Sequence, residues 1–169
     1  GKTIGALARE KDEEPEKILI DLLAGTAFEV SAFSFSQSPE VVERVIERPY
    51  VLIGSDSIAD ASAVPHPRAY GTFPKILKEY VREKKKIRLA EAIRKMTSQA
   101  AVHFGLQERG RIKAGFLADL VLFDPQTITD SATYENPKSF SQGVEWVFVN
   151  GRPVVEKGKF TGAKKGVFI

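Results

Sequence analysis

The spacing of apolar residues along the chain changes character near residue 104. Up to that point, apolar positions recur every three or four residues, as in helices that bury one face. Together with Ser, Thr or Pro before a run and Gly after it, this spacing predicts helices. They cover residues 3–10, 15–25, 38–48, 73–84 and 89–104. After residue 104, short alternating runs and frequent glycines predict strands instead.

Two shorter apolar runs predict strands within the helical part. Residues 30–36 alternate in part and are aromatic, and residues 50–53 form an unbroken apolar run that Gly54 ends. Such a run is typical of a strand buried on both faces. Strand, helix and strand with short links predict a βαβ unit, in which the two strands pair in parallel. Residues 56–72 have no apolar periodicity, so we expect a long loop there.

The β-rich part carries a hairpin signal. Residues 118–123 predict a strand, which Asp124 and Pro125 end. Residues 144–149 and 153–155 flank Asn150-Gly151, a dipeptide typical of the type I′ turn of an antiparallel hairpin. The Gly- and Lys-rich residues 160–169 predict an edge strand or a tail.

Composition limits the class of protein. With 169 residues, 43% of them hydrophobic, the chain resembles a globular domain but is too short for a complete eight-stranded α/β barrel of roughly 250 residues. The net charge of +3 comes from interspersed acids and bases, so we expect no nucleic-acid partner. No apolar run approaches the roughly 18 residues of a membrane span, so we expect no membrane contact. The lack of cysteine excludes disulfides and thiolate metal sites, and we expect a cytoplasmic location.

Asp56 and the two histidines are the candidates for chemistry. Asp56 lies just beyond the predicted strand 50–53, where barrel enzymes place catalytic groups, although it fits a capping residue of a turn equally well. His66 lies in the predicted loop between two prolines, where it is available for binding. His103 lies near a helix end beside Phe104, and packing is its expected role. Two histidines without cysteine cannot build a three-ligand zinc site by themselves, although they can contribute to one.

Three stretches resemble one enzyme family. They are residues 54–57 (Gly-Ser-Asp-Ser), 65–74 (Pro-His-Pro-Arg-Ala-Tyr-Gly-Thr-Phe-Pro) and 92–98 (Ala-Ile-Arg-Lys-Met-Thr-Ser). Together they resemble the C-terminal part of N-acyl-D-amino-acid deacylases, the D-aminoacylases, which belong to the amidohydrolase superfamily of metal-dependent barrel hydrolases. Residues 110–121 resemble the passage from the barrel to the small β domain of such enzymes, and residues 144–151 resemble a hairpin of that domain.

The resemblance implies roles for individual residues. Asp56 matches the Asp at the end of the eighth barrel strand, the general base for the metal-bound water and the acid for the leaving amine, which in some members also contacts the metal. Arg68 matches the Arg that binds the α-carboxylate of the substrate, a task that suits the guanidinium fork. His66, in the same run, is expected to bind substrate as well. The implied cofactor is zinc, and the implied substrate is an N-acyl-D-amino acid.

The same resemblance implies a fold and a missing part. Residues 1–104 would be the last βα units of a metal-dependent α/β (TIM-type) barrel, and residues 105–169 the C-terminal part of a small β-sandwich domain. The other metal ligands of the family lie on earlier strands that this chain does not contain. We therefore expect the chain alone to bind no zinc and to be inactive. The missing N-terminal barrel portion is an expected partner, and for the chain alone we expect either self-association that covers its exposed edges or poor order in the barrel part.

Two other interpretations remain open. One is an amidohydrolase with another substrate, such as a dihydroorotase-like or dipeptidase-like enzyme. The other is a non-catalytic interaction module, in which the barrel remnants and the β domain serve assembly.

Overall fold

The computed structural model describes residues 2–27, 32–58 and 64–167. Helices come first along this described part and strands come last. The helices are α1 (Ile4–Lys11), α2 (Pro15–Gly25), α3 (Pro39–Ile46), α4 (Arg68–Lys75), a π-helix (Ile76–Glu83), α5 (Leu89–Met96) and α6 (Ser98–His103). The strands are β1 (Leu120–Phe123), β2 (Val144–Val149), β3 (Arg152–Glu156) and β4 (Lys159–Phe160). None of the helices in this described part is long and apolar enough to cross a membrane.

The predicted starts of the first three helices are confirmed. The side chain of Thr3 accepts a hydrogen bond from the Ala6 N–H, and the side chain of Ser38 accepts one from the Val41 N–H. Each thus satisfies an amide that has no partner within its own helix. Pro15 and Pro39 lie in the first turns of α2 and α3, where a missing N–H costs nothing.

The helix predicted over residues 73–84 begins earlier, so the predicted loop of residues 56–72 is too long. The helical stretch starts at Arg68 as α4 and continues through the π-helix, whose Ile76, Leu77 and Tyr80 are buried. Pro74 lies inside α4 and has no N–H for the Tyr70 carbonyl four residues before it. The Ser141 hydroxyl donates to that carbonyl at 3.0 Å instead, so a residue of the β-rich part supplies the donor that the helix lacks.

The helix predicted over residues 89–104 is interrupted at Thr97. Its φ of −128° and ψ of −90° separate α5 from α6, and its hydroxyl donates to the Ile93 carbonyl at 2.7 Å. The loop after α6 returns close to this break. At Gly110, where φ is +75°, an added Cβ would lie 2.9 Å from the Thr97 carbonyl oxygen. Glycine is therefore needed at this position for both its conformation and its size.

The C-terminal strands form one antiparallel sheet in the order β1-β2-β3-β4. The predicted hairpin is confirmed, because Val149 pairs with Arg152 across Asn150 and Gly151. Both turn residues have positive φ, 49° and 73°, as a type I′ turn requires. The strand predicted over residues 118–123 is confirmed as β1. Among residues 160–167, the described part of the predicted edge strand or tail, only Phe160 belongs to a strand, the edge strand β4.

The strands predicted at residues 30–36 and 50–53 are wrong within the described part. Residues 28–31 lie outside the described residues, and residues 32–36 and 50–53 belong to no helix or strand. The expected parallel pair is therefore absent from what the structure describes. A strand needs a neighbour in register, and apolar side chains alone do not supply one. In this segment the apolar side chains are partly buried without forming a strand. Val51, Leu52 and Ile53 are half-buried, and Ile53 packs against the core.

The main core joins the helical and β-rich parts. Its buried members come from α3, the π-helix, α5 and two loops: Ile46, Ile76, Leu77, Tyr80, Ile87, Ala92 and Ile128. Ile128 follows β1, and its carbonyl accepts a hydrogen bond of 2.8 Å from Arg82 of the π-helix. Beside this core, an open apolar cleft of about 740 Å³ separates α4 and α5 from β1 and β2.

Candidate active site

Asp56 and Arg68, the two residues expected to carry the chemistry, form an ion pair. Nη2 of Arg68 lies 3.0 Å from Oδ2 of Asp56, and the two side chains are 42% and 87% exposed. Arg68 is the first residue of α4, whereas Asp56 lies in the irregular segment that follows α3. The fold therefore brings together a carboxylate and a guanidinium from separate segments, and both face solvent.

The backbone at Asp56 is unusual. Its φ of 47° lies in the left-handed region, which Asp tolerates better than most residues do. On either side, the Ser55 hydroxyl donates to that of Ser57 at 3.2 Å. Asp56 thus combines a left-handed backbone conformation with a carboxylate that faces Arg68.

His66 is held by contacts on both ring nitrogens. Nδ1 accepts a hydrogen bond of 3.0 Å from the backbone N–H of Arg68, so the imidazole caps the start of α4. Nε2 lies 3.3 Å from the Tyr134 hydroxyl and donates to it in the neutral tautomer that the first bond requires. Desolvation lowers the pKa of His66, and the cations Arg68 and Lys75 lower this pKa further. In this structure His66 orders the helix that carries Arg68, and its expected contact with substrate stays a prediction.

An aromatic cluster supports this imidazole. The ring centroid of Phe33 lies 5.0 Å from that of His66, and the Tyr134 centroid lies 5.1 Å from that of Phe35. Phe33 and Tyr134 are also in contact, at 5.3 Å. Reasoning from the sequence missed Tyr134 altogether, because no local pattern relates it to residue 66.

A cavity of about 210 Å³ adjoins the ion pair. Arg68 and His66 line one side of it, and Asp130 and Tyr134 line the other. Gly71 of α4 allows the two sides to approach, since an added Cβ would lie 3.1 Å from the Asp130 Cβ. The cavity is thus a small, mixed-charge recess beside two charged groups.

The described residues do not make a metal site by themselves. Among residues 2–27, 32–58 and 64–167, no three His, Cys, Asp or Glu side chains are grouped as metal ligands. Asp56 has Arg68 beside it, and both nitrogens of His66 are already engaged. Asp56, whose carboxylate faces solvent, is a ligand that this site would offer to zinc.

Comparison with known proteins places these residues in a family. Residues 42–155 match the model of the amidohydrolase family, a range that includes Asp56, His66 and Arg68. The chain is 36% identical over 166 residues to D-aminoacylase of Alcaligenes xylosoxydans xylosoxydans, which covers 98% of the chain and 33% of that protein. It is 44% identical over 134 residues to N-acyl-D-aspartate deacylase of the same organism, which covers 79% of the chain and 26% of the relative.

Solved structures agree with the sequence matches. A crystal structure of D-aminoacylase superposes with a TM-score of 0.84 at 36% identity, over 96% of this chain and 33% of the other. N-acyl-D-glutamate deacylase from Bordetella bronchiseptica, complexed with zinc and a phosphonate that mimics the tetrahedral intermediate, superposes with a TM-score of 0.81 at 34% identity. That match covers 91% of this chain and 31% of the other. The chain thus spans about a third of the length of these relatives, and it belongs to the amidohydrolase family.

Proposed function

We propose that this chain is the C-terminal part of a zinc-dependent enzyme that hydrolyses N-acyl-D-amino acids to a carboxylate and a D-amino acid. The proposal is supported by the family match and by relatives that are named as deacylases of N-acyl-D-amino acids. The observation that carries it is the distance of 3.0 Å between Arg68 and Asp56.

The distance between Arg68 and Asp56 indicates which arrangement of groups the substrate should have. In an N-acyl amino acid, the scissile amide nitrogen and the carboxylate are attached to the same α-carbon. A carboxylate held by the Arg68 guanidinium therefore brings that nitrogen close to Asp56. Because guanidinium has five N–H donors, Arg68 can bind a substrate carboxylate while it remains near Asp56. Arg68 and Asp56 together thus suit a substrate in which one carbon atom bears both the amide nitrogen and a carboxylate.

Asp56 has the properties of a proton carrier in this reaction. Its carboxylate would accept a proton from the attacking water and would return it to the departing amine nitrogen. It faces solvent in the described structure, so both groups can reach it. Zinc belongs to the proposal because a relative was solved in complex with zinc. Its remaining ligands would come from the part of the protein outside this chain.

In this proposal, residues 1–104 are the last units of the catalytic barrel. Residues 105–169 are part of the small β-sandwich. The antiparallel sheet of β1–β4 and its packing against the helices support the second assignment. The irregular residues 50–53 would then gain strand neighbours from the remainder of the barrel.

The experiment is a substrate comparison with the full-length protein. We expect hydrolysis of N-acetyl-D-amino acids, little hydrolysis of their L enantiomers, and little hydrolysis of N-acetyl alkylamines that lack the carboxylate. Equal rates on the amides with and without a carboxylate would contradict the proposal. Hydrolysis of cyclic amides alone would support a dihydroorotase-like activity in its place.

A further inference from the structure

Lys95 is a buried charged residue that the proposed chemistry does not use. It lies on α5, its side chain is completely buried, and its spacing places it among core positions. Burial lowers the pKa of its ammonium group. A buried ammonium destabilises a fold unless it is hydrogen-bonded, so its partners show what it holds.

The partners of Lys95 are backbone carbonyls at the end of α3. Nζ donates to the carbonyl of Ile46 at 2.8 Å and also to that of Arg48. Carbonyls at a helix C-terminus have no partner within the helix, and a cation is favourable there. Lys95 thus fixes the point at which the chain leaves α3.

Two neighbours of Lys95 hold the next carbonyl. Nη2 of Arg94 and Nε2 of Gln99 donate to the Pro49 carbonyl at 2.8 Å and 2.9 Å. Three side chains from α5 and α6 therefore bind three carbonyls at positions 46, 48 and 49. We call these three side chains, Arg94, Lys95 and Gln99, the carbonyl anchor.

The segment that leaves the carbonyl anchor leads to Asp56. Only six residues, 50–55, separate residue 49 from Asp56, so a shift of residue 49 moves the start of the run that carries the carboxylate. Arg68 is positioned differently, because it begins α4 and His66 caps that start. A change at the carbonyl anchor should therefore move Asp56 relative to Arg68.

We propose that Lys95 is a positioning residue for Asp56. It acts through the carbonyls of Ile46 and Arg48, which lie just before the segment 50–56. This inference rests on the proposed function, in which Asp56 carries the proton and Arg68 binds the substrate carboxylate. It assigns to Lys95 an effect on turnover rather than on substrate binding.

The test is a double-mutant cycle in the full-length, zinc-loaded enzyme with N-acetyl-D-amino acids. Lys95→Met keeps the apolar length of the side chain and removes the donor. We expect kcat to fall about ten- to hundredfold with little change in KM, because small misplacement of a reacting group has effects of this size. In the Asp56→Asn background, Lys95→Met should have almost no further effect on kcat. The matched control is Lys138→Met at an exposed position, which should leave both constants unchanged.

A second variant keeps the test decisive if Lys95→Met does not fold. The buried Oε1 of Gln99 has no hydrogen-bond partner among the described residues, so Gln99→Leu removes an anchor contact at little cost in stability. Gln99→Leu should also lower kcat in the enzyme that retains Asp56. In the Asp56→Asn background it should have almost no further effect. An unchanged kcat in folded variants, or an equal loss with and without Asp56, would overturn the inference. Full activity of Asp56→Asn would instead refute the proposed function, so the two failures are distinguishable.

Discussion

The backbone N–H of Arg68 donates a hydrogen bond of 3.0 Å to Nδ1 of His66. This bond requires Nδ1 to be unprotonated, and burial holds the pKa of His66 below its usual value. The unfolded chain, with an ordinary histidine pKa of about 6.5, therefore takes up the proton first as the pH falls. The contribution of His66 to the free energy of unfolding is present above about pH 6.5 and is lost as the pH falls through the lower, folded-state pKa.

A histidine titration followed by NMR checks this prediction. We expect the His66 midpoint to lie below 6.5, and His66→Phe, which keeps a ring but removes the acceptor, to lose this part of the pH dependence of Tm. In the 169-residue chain, His103→Gln, at an exposed helix end, leaves one histidine signal and serves as the control. A midpoint above 6.5 would contradict the geometry at the start of α4.

Asp56→Asn tests the proton carrier in the full-length enzyme. Asparagine is nearly isosteric, so the fold should persist while the group loses its basicity. We expect kcat/KM for N-acetyl-D-amino acids to fall by about 10²–10⁴-fold. Asp21→Asn, which breaks only a surface ion pair with Lys17, is the matched control. Undiminished turnover in Asp56→Asn would rule out this role.

Arg68→Ala tests carboxylate binding. Loss of a charge-assisted contact should raise KM for N-acetyl-D-amino acids by roughly ten- to hundredfold. The weak hydrolysis of carboxylate-free amides should change little, because these amides have no group for Arg68 to bind. Arg9→Ala on the exposed face of α1 removes a guanidinium elsewhere and should leave both substrates unaffected. Equal losses on both substrates would argue against the assigned contact.

The chain of 169 residues, prepared alone, should self-associate. Within the described part, β1 has a neighbour on one edge only, and Val121 on it is 57% exposed. The apolar cleft of about 740 Å³ is also open. Exposed strand edges and apolar faces favour association. Light scattering should show oligomers that Val121→Lys weakens, and a monodisperse monomer would refute the expectation.

Local signals predicted much of the fold, whereas distant contacts decided the rest. Thr3, Ser38 and Asn150-Gly151 were predictable because a cap or a turn depends on a few adjacent residues. The strand predicted over residues 50–53 is wrong because apolar content predicts burial and leaves the hydrogen-bonding neighbour undetermined.

In the candidate site, too, some residues could be predicted from the sequence, whereas those defined by distant contacts could not. Asp56 was identified by its position after the apolar run 50–53 and Arg68 by resemblance to a family, and the structure brings them together. Tyr134 was missed because its contact with His66 joins residues 68 positions apart. Lys95 was missed as an anchor because its carbonyl partners lie at the end of another helix, and because a lysine is rarely buried even where its spacing matches core positions.

The bond from Ser141 to the Tyr70 carbonyl has a consequence for how the protein unfolds. It joins residues 71 positions apart, and the helix interrupted by Pro74 is incomplete without it. The change of composition near residue 104 should therefore not divide the chain into two parts that unfold independently. Helices and sheet should melt in a single calorimetric transition, and Ser141→Ala should lower its midpoint without splitting it in two.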